Sequence, residues 1–488
     1  MRVRIVLFIA LLLLSCTPKS TSNGKGFTLS GPARVYYDSW GNAHIFARSQ
    51  RDAVYLQCYE AARLRGFQLD YLFRNITGRL SEWFGKEYLE ADRARRILGF
   101  ERSARKSWED IQRYAPREAE IISACASGIN QFFSDARHGV DGATLPPEFS
   151  RIDPTYVPPP VEPWAIVAVG KGIAFELSFS GDREFLSYLL YALLGREKFS
   201  ALFQFAPLKD TTIIDREDAT KWLSQEEPSA FFLPKRIALS SPKPSFASKD
   251  PLQAITDAVR AIKNLRGLLG SPSSLYDPGS NNWVIAGRHT ESGYPILAND
   301  PHLGFDLPPK FLETHLVFTE DGEEFNVSGI ILAGGPGVLI GHNQYLGWVL
   351  TTTQGDVTDI YLETLSPDGT KVWRNNRWIP LEIYEETICV RPEGGRVGDC
   401  IFYPLAVRIV PEHGPLLNDL SPGLTDLFGN ISLRWTGFEP TREIVAILRL
   451  NRARNLASAM EVLKDFMVGE QNFIMADRDG NIGYMAPA

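Results

Sequence analysis

A chain of 488 residues, 44% hydrophobic and 22% charged, is long enough to bury one large core or two modest ones and too apolar to be disordered. Its formal net charge of −7 offers no basic excess to a phosphate backbone, which leaves nucleic acid without a claim as partner. Small molecules and neutral surfaces remain.

Met1-Arg2-Val3-Arg4 precedes an apolar run from Ile5 to Leu14, the charged start and short hydrophobic stretch of an export signal. The run is too short to cross a bilayer comfortably. It ends in Leu13-Leu14-Ser15-Cys16, which resembles a bacterial lipobox with Cys16 as the lipidated first residue of the mature chain. Simple secretion is the alternative, although an A-x-A cleavage site is absent. On the lipobox reading, residues 1–16 are the signal and residues 17–26 a polar tether, and the protein sits lipid-anchored on the periplasmic side of a membrane. Removing Cys16 leaves Cys58, Cys125, Cys389 and Cys400, an even number that permits disulfides in an exported chain. Cys389 and Cys400 flank a hairpin-like turn, Arg391 to Arg396, whose geometry allows them to pair. Neither a metal-ligand spacing nor a redox C-x-x-C is present.

The folded part opens with Tyr36 to Ile45, where Gly41 marks a turn before a returning strand. Arg51 to Phe100 has helical apolar spacing. Prolines 158, 159, 160 and 163 form an extended connector. Ala165 to Leu194 returns to helix, with Asp182 and Glu184 inside it. Asp250-Pro251 followed by Leu252, Ile255, Val259, Ile262 and Leu265 reads as a capped helix stopped by Gly270. Ser271 to Pro278 is turn-rich and leads into Gly279-Ser280, after which Asn281 to Gly287 is strand-like. Strands are expected at Tyr294 to Ala298, Asn326 to Leu332 and Leu346 to Leu350. Hairpins are expected around Trp373 to Trp378, Glu382 to Val390 and Ile401 to Val410, and a helix from Asn451 to Phe466. Helices, then many strands, then helices predict an α+β fold.

Several stretches together resemble the penicillin acylase family of N-terminal-nucleophile hydrolases. They are Asp38-x-x-Gly41-x-x-His44-Ile45, Gly78 to Gly85, Asp92 to Phe100, Gly279 to Gly287, Asn299 to Leu303, Gly341 to Asn343, and Gln471 to Tyr484. The resemblance runs from Val35 to Tyr484 and implies an αββα sandwich. One departure is Ala61-Ala62 before Arg63, where the family carries Gln-Asp. The resemblance also implies autocatalytic cutting between Gly279 and Ser280. Residues 27–270 then become a first chain, 271–279 a removable spacer and 280–488 a second chain. The second chain is shorter than the family's and is expected to be incomplete at its C-terminal end, lacking a supporting Arg and the full core.

No Ser-His-Asp set with a G-x-S-x-G elbow is visible, so a serine nucleophile here needs another base. A freed Ser280 supplies its own α-amino group, whose reference pKa of about 7.7 to 8.0 leaves much of it neutral near physiological pH. Gly279 removes a Cβ expected to crowd the attack. By resemblance, the Asn472 amide and the Thr352 N–H are the oxyanion donors, and His302 hydrogen-bonds the terminal amine, with a structural His302 as the equal alternative. His342 and His413 are expected to be structural. Calcium is implied at Asp356, the Thr358 carbonyl, Asp359 and Glu184, with Asp182 as fallback, an all-oxygen set of the kind calcium prefers. The expected activity is hydrolysis of a linear acyl amide such as a penicillin, a cephalosporin or an acyl homoserine lactone, without an organic cofactor. A non-catalytic lipoprotein scaffold or binding protein on the same fold is the competing reading.

Overall fold

The computed structural model describes residues 27–179, single positions between 184 and 199 together with 260, and residues 279–487 except 304–306, 354 and 421–422. Cys16, the tether, Asp182, the helix expected from Asp250 to Gly270 and the spacer as far as Pro278 lie outside the described residues.

Asp38 closes the first turn by accepting the N–H groups of Trp40 and Asn42 at 2.8 and 2.9 Å, which reverses β1 (Arg34–Tyr37) into β2 (Ala43–Ala47). Ser49 then caps α1 (Gln50–Thr77), its hydroxyl accepting the Asp52 N–H. α2 (Ser81–Phe84) and α3 (Leu89–Leu98) follow in the region read as helical. α4 (Phe100–Tyr114) and α5 (Pro116–His138) were not anticipated, and α6 (Pro147–Ile152) lies between the prolines. α7 (Pro163–Ser178) ends where Phe179 leaves helical geometry at φ −66°, ψ 112°, and the described positions 184, 187, 190, 191 and 194 of the expected helical span are helical again. At the Ala61-Ala62 departure both residues are buried, and Arg63 pairs instead with Glu60 at 2.6 Å.

α1 packs closely on α5 because Gly128 has no side chain: a Cβ there would lie 2.1 Å from the Tyr55 carbonyl oxygen. A Cys58–Cys125 disulfide joins the same two helices, and Cys389–Cys400 pairs as expected. Cys58 and Cys125 are 67 residues apart, so this cross-link is worth about 4 kcal/mol on the loop-entropy relation. Replacing both by alanine should lower the urea unfolding free energy by roughly that amount. An unchanged midpoint would show that the bond carries no stability.

After Gly279 come β3 (Ser280–Ile285), β4 (Ile296–Pro301), β5 (Phe311–Glu320), β6 (Glu323–Leu332), β7 (Ile340–His342) and β8 (Leu346–Thr352). Further on are β9 (Thr358–Glu363), the hairpin β10 (Lys371–Arg374) and β11 (Arg377–Pro380), β12 (Glu382–Val390) paired with β13 (Ile401–Val410), β14 (Gly414–Pro415), α8 (Gly423–Phe428) and β15 (Asn430–Trp435). α9 (Glu443–Leu450), α10 (Leu456–Leu463), β16 (Gln471–Asp477) and β17 (Ile482–Met485) complete the described chain. The helix expected from Asn451 to Phe466 is therefore shorter and has an unforeseen neighbour, α9. The reason is local: Asn451 gives its side chain to the Val338 N–H and C=O, and Asn455 caps α10 with a capping box.

The main sheet runs β1-β2-β5-β6-β7-β8-β16-β17, with β2 and β5 parallel and the other neighbours antiparallel. Side chains alternate between its faces. Leu316, Phe318, Trp348, Phe473 and Met475 point to the helical side and are buried with Ala53 of α1, Ala446, Ile447 and Leu450 of α9 and Leu463 of α10. The helices have a second core around Trp83, Phe100, Phe149 and Phe175, joined by Trp435 of β15. There the buried Lys171 ammonium donates to the Gly437 and Glu439 carbonyls and to Thr441 Oγ, at 2.6 to 2.9 Å. On the other face of the sheet, the β3–β4 hairpin packs across β8 and β16. Leu297 settles over Gly347, where a Cβ would come within 3.1 Å of it. Helices, sheet and a further β hairpin thus stack as an α+β structure. The outer face of the hairpin is apolar and open, with Trp283, Ile285 and Ile296 exposed.

Candidate active site

Ser280 is the first residue of β3 and pairs with Pro301 of β4. Its Oγ donates to the Gly279 carbonyl oxygen at 2.7 Å, and the same oxygen accepts the His302 N–H at 2.9 Å. The hydroxyl is therefore held against the carbonyl it would have to attack. Apart from its chain neighbours, a Cβ at Gly279 would meet only His302 Nδ1 among the described residues, at 3.6 Å, an ordinary contact. His302 is about half exposed, its Nε2 lies 3.0 Å from Asp300 Oδ2, and its Nδ1 faces Gly279. That places the ring beside the junction, oriented by a carboxylate.

Two asparagines not singled out from sequence for these roles set the hairpin against the sheet. Asn282 Nδ2 donates to the Asn472 carbonyl at 3.0 Å, tying β3 to β16. Asn299 donates to the Asn281 and Leu350 carbonyls and accepts the Leu350 N–H, tying β4 to β8. Side chains that bridge two strands in this way fix the register of Ser280 over the β8–β16 pair.

Asn472 lies opposite Thr351, and Gln471 opposite Thr352. The Asn472 amide nitrogen donates to Thr351 Oγ1 at 3.2 Å and to the Thr352 carbonyl at 3.4 Å, both long bonds, and its oxygen accepts Tyr484 Oη–H at 2.8 Å. Tyr484 thereby fixes which end of the amide donates. Sequence reasoning placed Tyr484 in a family-like stretch without this role, and only the β16–β17 pairing reveals it. Thr353 N–H bonds to the Glu470 carbonyl, so the ladder's alternation turns the Thr352 N–H away from β16. His302 stands beside the Ser280 junction and Asn282 ties β3 to the Asn472 carbonyl, but neither Asn472 nor Thr352 touches the Ser280 hydroxyl directly.

The expected metal ligands fare differently. Glu184 accepts Thr358 Oγ–H at 3.0 Å and the Ile360 N–H at 2.7 Å. Burial, with the Asp356 and Asp359 charges adding to it, pushes its carboxyl up to about 7. Burial also raises the Glu470 carboxyl, again with help from Asp356. Burial is thus the main cause of both shifts, and the donors gathered in this loop are oxygens, the ligand type that calcium prefers. Among the described residues, however, no three acidic, His or Cys side chains converge as metal ligands. His413 is structural as expected, stacked on Tyr361 and 2.7 Å from Glu363. His342 Nδ1 lies 3.3 Å from the Asn343 carbonyl oxygen.

With this geometry in hand, comparison with known proteins is specific. The Penicillin amidase family profile matches residues 32–488. Penicillin acylase 2 proenzyme of Pseudomonas sp. (strain SE83) is 27% identical over 463 residues, covering 94% of this chain and 53% of the relative. An acyl-homoserine lactone acylase QuiP of Pseudomonas syringae pv. tomato is 26% identical over 471 residues, covering 94% and 50%. Penicillin G acylase of Escherichia coli is 25% identical over 486 residues, covering 93% and 53%. The chain spans about half the length of these curated relatives. With a family match over nearly all of its length, the chain belongs to the penicillin amidase family.

Proposed function

We propose that the protein hydrolyses a linear acyl amide through Ser280, freed as an N-terminal nucleophile by cleavage of the Gly279–Ser280 bond. The observation that carries this reading is the 2.7 Å contact of Ser280 Oγ with the carbonyl oxygen of its own preceding residue. In the first step Oγ adds to the Gly279 carbonyl carbon, the C–N bond breaks and the acyl group moves to oxygen. Breaking that bond frees the Ser280 amine, which picks up a proton as it leaves; water then hydrolyses the ester to give the Gly279 carboxylate and the free Ser280 hydroxyl. That amine, neutral in part near its reference pKa of about 7.7 to 8.0, takes the hydroxyl proton when Ser280 attacks substrate. The negative oxygen of the tetrahedral intermediate is met by the Thr352 N–H and the Asn472 amide, which exchanges its long bonds to Thr351 and Thr352 for the stronger acceptor. His302, oriented by Asp300, hydrogen-bonds the amine. The names of the relatives support penicillins and acyl homoserine lactones as the substrate class. Incubation with a chromogenic phenylacetyl amide and a long-chain acyl amide tests the reading. Release of chromophore from either supports it, whereas a protein that hydrolyses neither and stays uncut is the scaffold.

The acidic loop is the place for a structural calcium, held by Glu184, Asp356, Asp359 and the Thr358 carbonyl and pinning the loop that follows β8. Calcium would favour the charged form of the Glu184 carboxyl, which burial disfavours. Chelation should lower the melting temperature, and Asp359→Ala should abolish that sensitivity. Superimposable melting curves with and without chelator would remove the site.

Among the described residues no helix is long and apolar enough to cross a membrane. Attachment through a diacylated Cys16 rests on the Leu-Leu-Ser-Cys motif and the tether that follows. Mass spectrometry of the N-terminus after detergent partitioning checks this, and an unmodified Cys16 in a water-soluble product refutes it.

A further inference from the structure

We propose that Glu470 is a positioning residue for acyl transfer, gripping the end of β8 so that the Thr352 N–H stays turned toward the hairpin that carries Ser280. This rests on the reading of Thr352 as an oxyanion donor and adds to it the group that aims the donor.

Glu470 stands immediately before β16, whose first residue, Gln471, pairs with Thr352, the last residue of β8. Its backbone and its side chain both reach across to the next residue, Thr353. The Glu470 carbonyl accepts the Thr353 N–H at 3.2 Å, and Glu470 Oε2 accepts the Thr353 hydroxyl at 3.3 Å. The oxygen of that hydroxyl accepts the Gly355 N–H at 3.2 Å. The carboxylate also lies against the Gly355 backbone: a Cβ there would come within 2.3 Å of Oε2, so only glycine leaves room for it. Glu470 is itself buried. A single carboxylate thus holds both Thr353 and Gly355, and a charged acceptor makes a stronger hydrogen bond than a neutral one.

What this does for Thr352 follows from antiparallel geometry. Along such a strand successive residues turn their N–H and C=O groups alternately toward the partner and away from it. The bond to Glu470 turns Thr353 toward β16, so Thr352 faces the opposite edge, as Leu350 does two residues earlier. On that edge the Leu350 N–H donates to Asn299 Oδ1 of β4 at 3.1 Å, and β4 pairs with β3 through Pro301 and Ser280. The Thr352 N–H therefore lies on the edge of β8 that the hairpin already occupies. The β8–β16 ladder stops at Thr352, and the end of a strand opens readily unless something holds it. Glu470 can hold it because its own place is set: the chain turns at Gly469, φ 75°, where a Cβ would lie 2.8 Å from the Ala174 Cβ of α7.

The test compares variants with wild type in the full chain, on the chromogenic phenylacetyl and long-chain acyl amides, with calcium in excess so that the neighbouring acidic loop stays in one state. Glu470→Ala is expected to lower kcat about 10- to 10²-fold with KM nearly unchanged, because an aimed donor counts in the transition state. Glu470→Gln keeps an oxygen acceptor of the same reach and should lose only several-fold, the scale of one weakened hydrogen bond of about 1 kcal/mol. Thr353→Val, which removes the hydroxyl between the carboxylate and Gly355, should lower kcat in the same direction and carries the test if Glu470→Ala does not fold. Amide hydrogen exchange over the peptide from Thr352 to Gly355 should quicken in Glu470→Ala and Thr353→Val and not in Glu470→Gln. Unchanged kcat in folded Glu470→Ala and Thr353→Val, equal losses in Glu470→Ala and Glu470→Gln, or a kcat restored by still more calcium overturns the positioning role and leaves the Ser280 chemistry standing. A wild type that hydrolyses neither amide refutes the underlying reading instead, and the positioning role falls with it.

Discussion

Ser280→Ala is expected to leave one uncut chain and to reduce acyl amide hydrolysis on the order of 10⁶-fold, the scale of a deleted serine nucleophile. The size follows from the double duty assigned to one residue. Alanine removes the hydroxyl that attacks Gly279, so the α-amine is never released, and the enzyme loses nucleophile and base together. The fold should be unaffected, because the only side-chain hydrogen bond described for Ser280 is to the neighbouring Gly279 carbonyl. Melting temperature therefore separates this outcome from simple misfolding. A Ser280→Ala protein that is still cut, or still turns over substrate, refutes the mechanism.

Asn472→Ala is expected to cost about 10²- to 10³-fold in turnover with little change in KM, the signature of a donor that matters in the transition state. Tyr484→Phe tests the same amide from the other side. It deletes one neutral hydrogen bond, worth about 1 kcal/mol, and so should cost only several-fold. The difference between the two variants is informative. If Asn472 only braces β16, its loss should appear as lower stability with turnover preserved. If both variants lose activity equally, orientation of the amide by Tyr484 matters as much as the amide itself.

How much of this was legible beforehand depends on the range of the interaction. The Gly279-Ser280 junction, the β12–β13 hairpin and the Cys389–Cys400 pair are local in sequence, and turn residues and alternation point to them. The sequence reading starts a helix at Asn451, missing α9 and overextending α10, because Asn451 and Asn455 look like ordinary polar helix residues until Val338 and Ser458 are seen bonding to them. The clamps of Asn282 and Asn299 join residues 190 and 51 positions apart, and no local pattern encodes such a pairing. Asn472 and Glu184 were identified only through family resemblance. Their partners, Tyr484 for one and Ile360 for the other, required the sheet register to be known.

The same register explains why the hairpin matters more than its size. β3 and β4 carry the nucleophile and His302, and their inward side chains are fixed on β8 and β16. Their outward side chains, Trp283, Ile285 and Ile296, remain exposed. A surface of that kind gains from cover, since burying each such side chain is worth about 1.5 to 3 kcal/mol. Any polypeptide that covers it would stiffen the strand that begins with Ser280, and misplacement of a nucleophile on the order of 1 Å costs about 10²-fold.

The most direct measurement of the central claim is N-terminal sequencing, with intact mass, of the protein isolated from its native host or expressed as the full chain. The account predicts two polypeptides, one of which begins Ser-Asn-Asn-Trp-Val-Ile at Ser280. A single chain that retains the Gly279–Ser280 bond after prolonged incubation and yet hydrolyses acyl amides would contradict it.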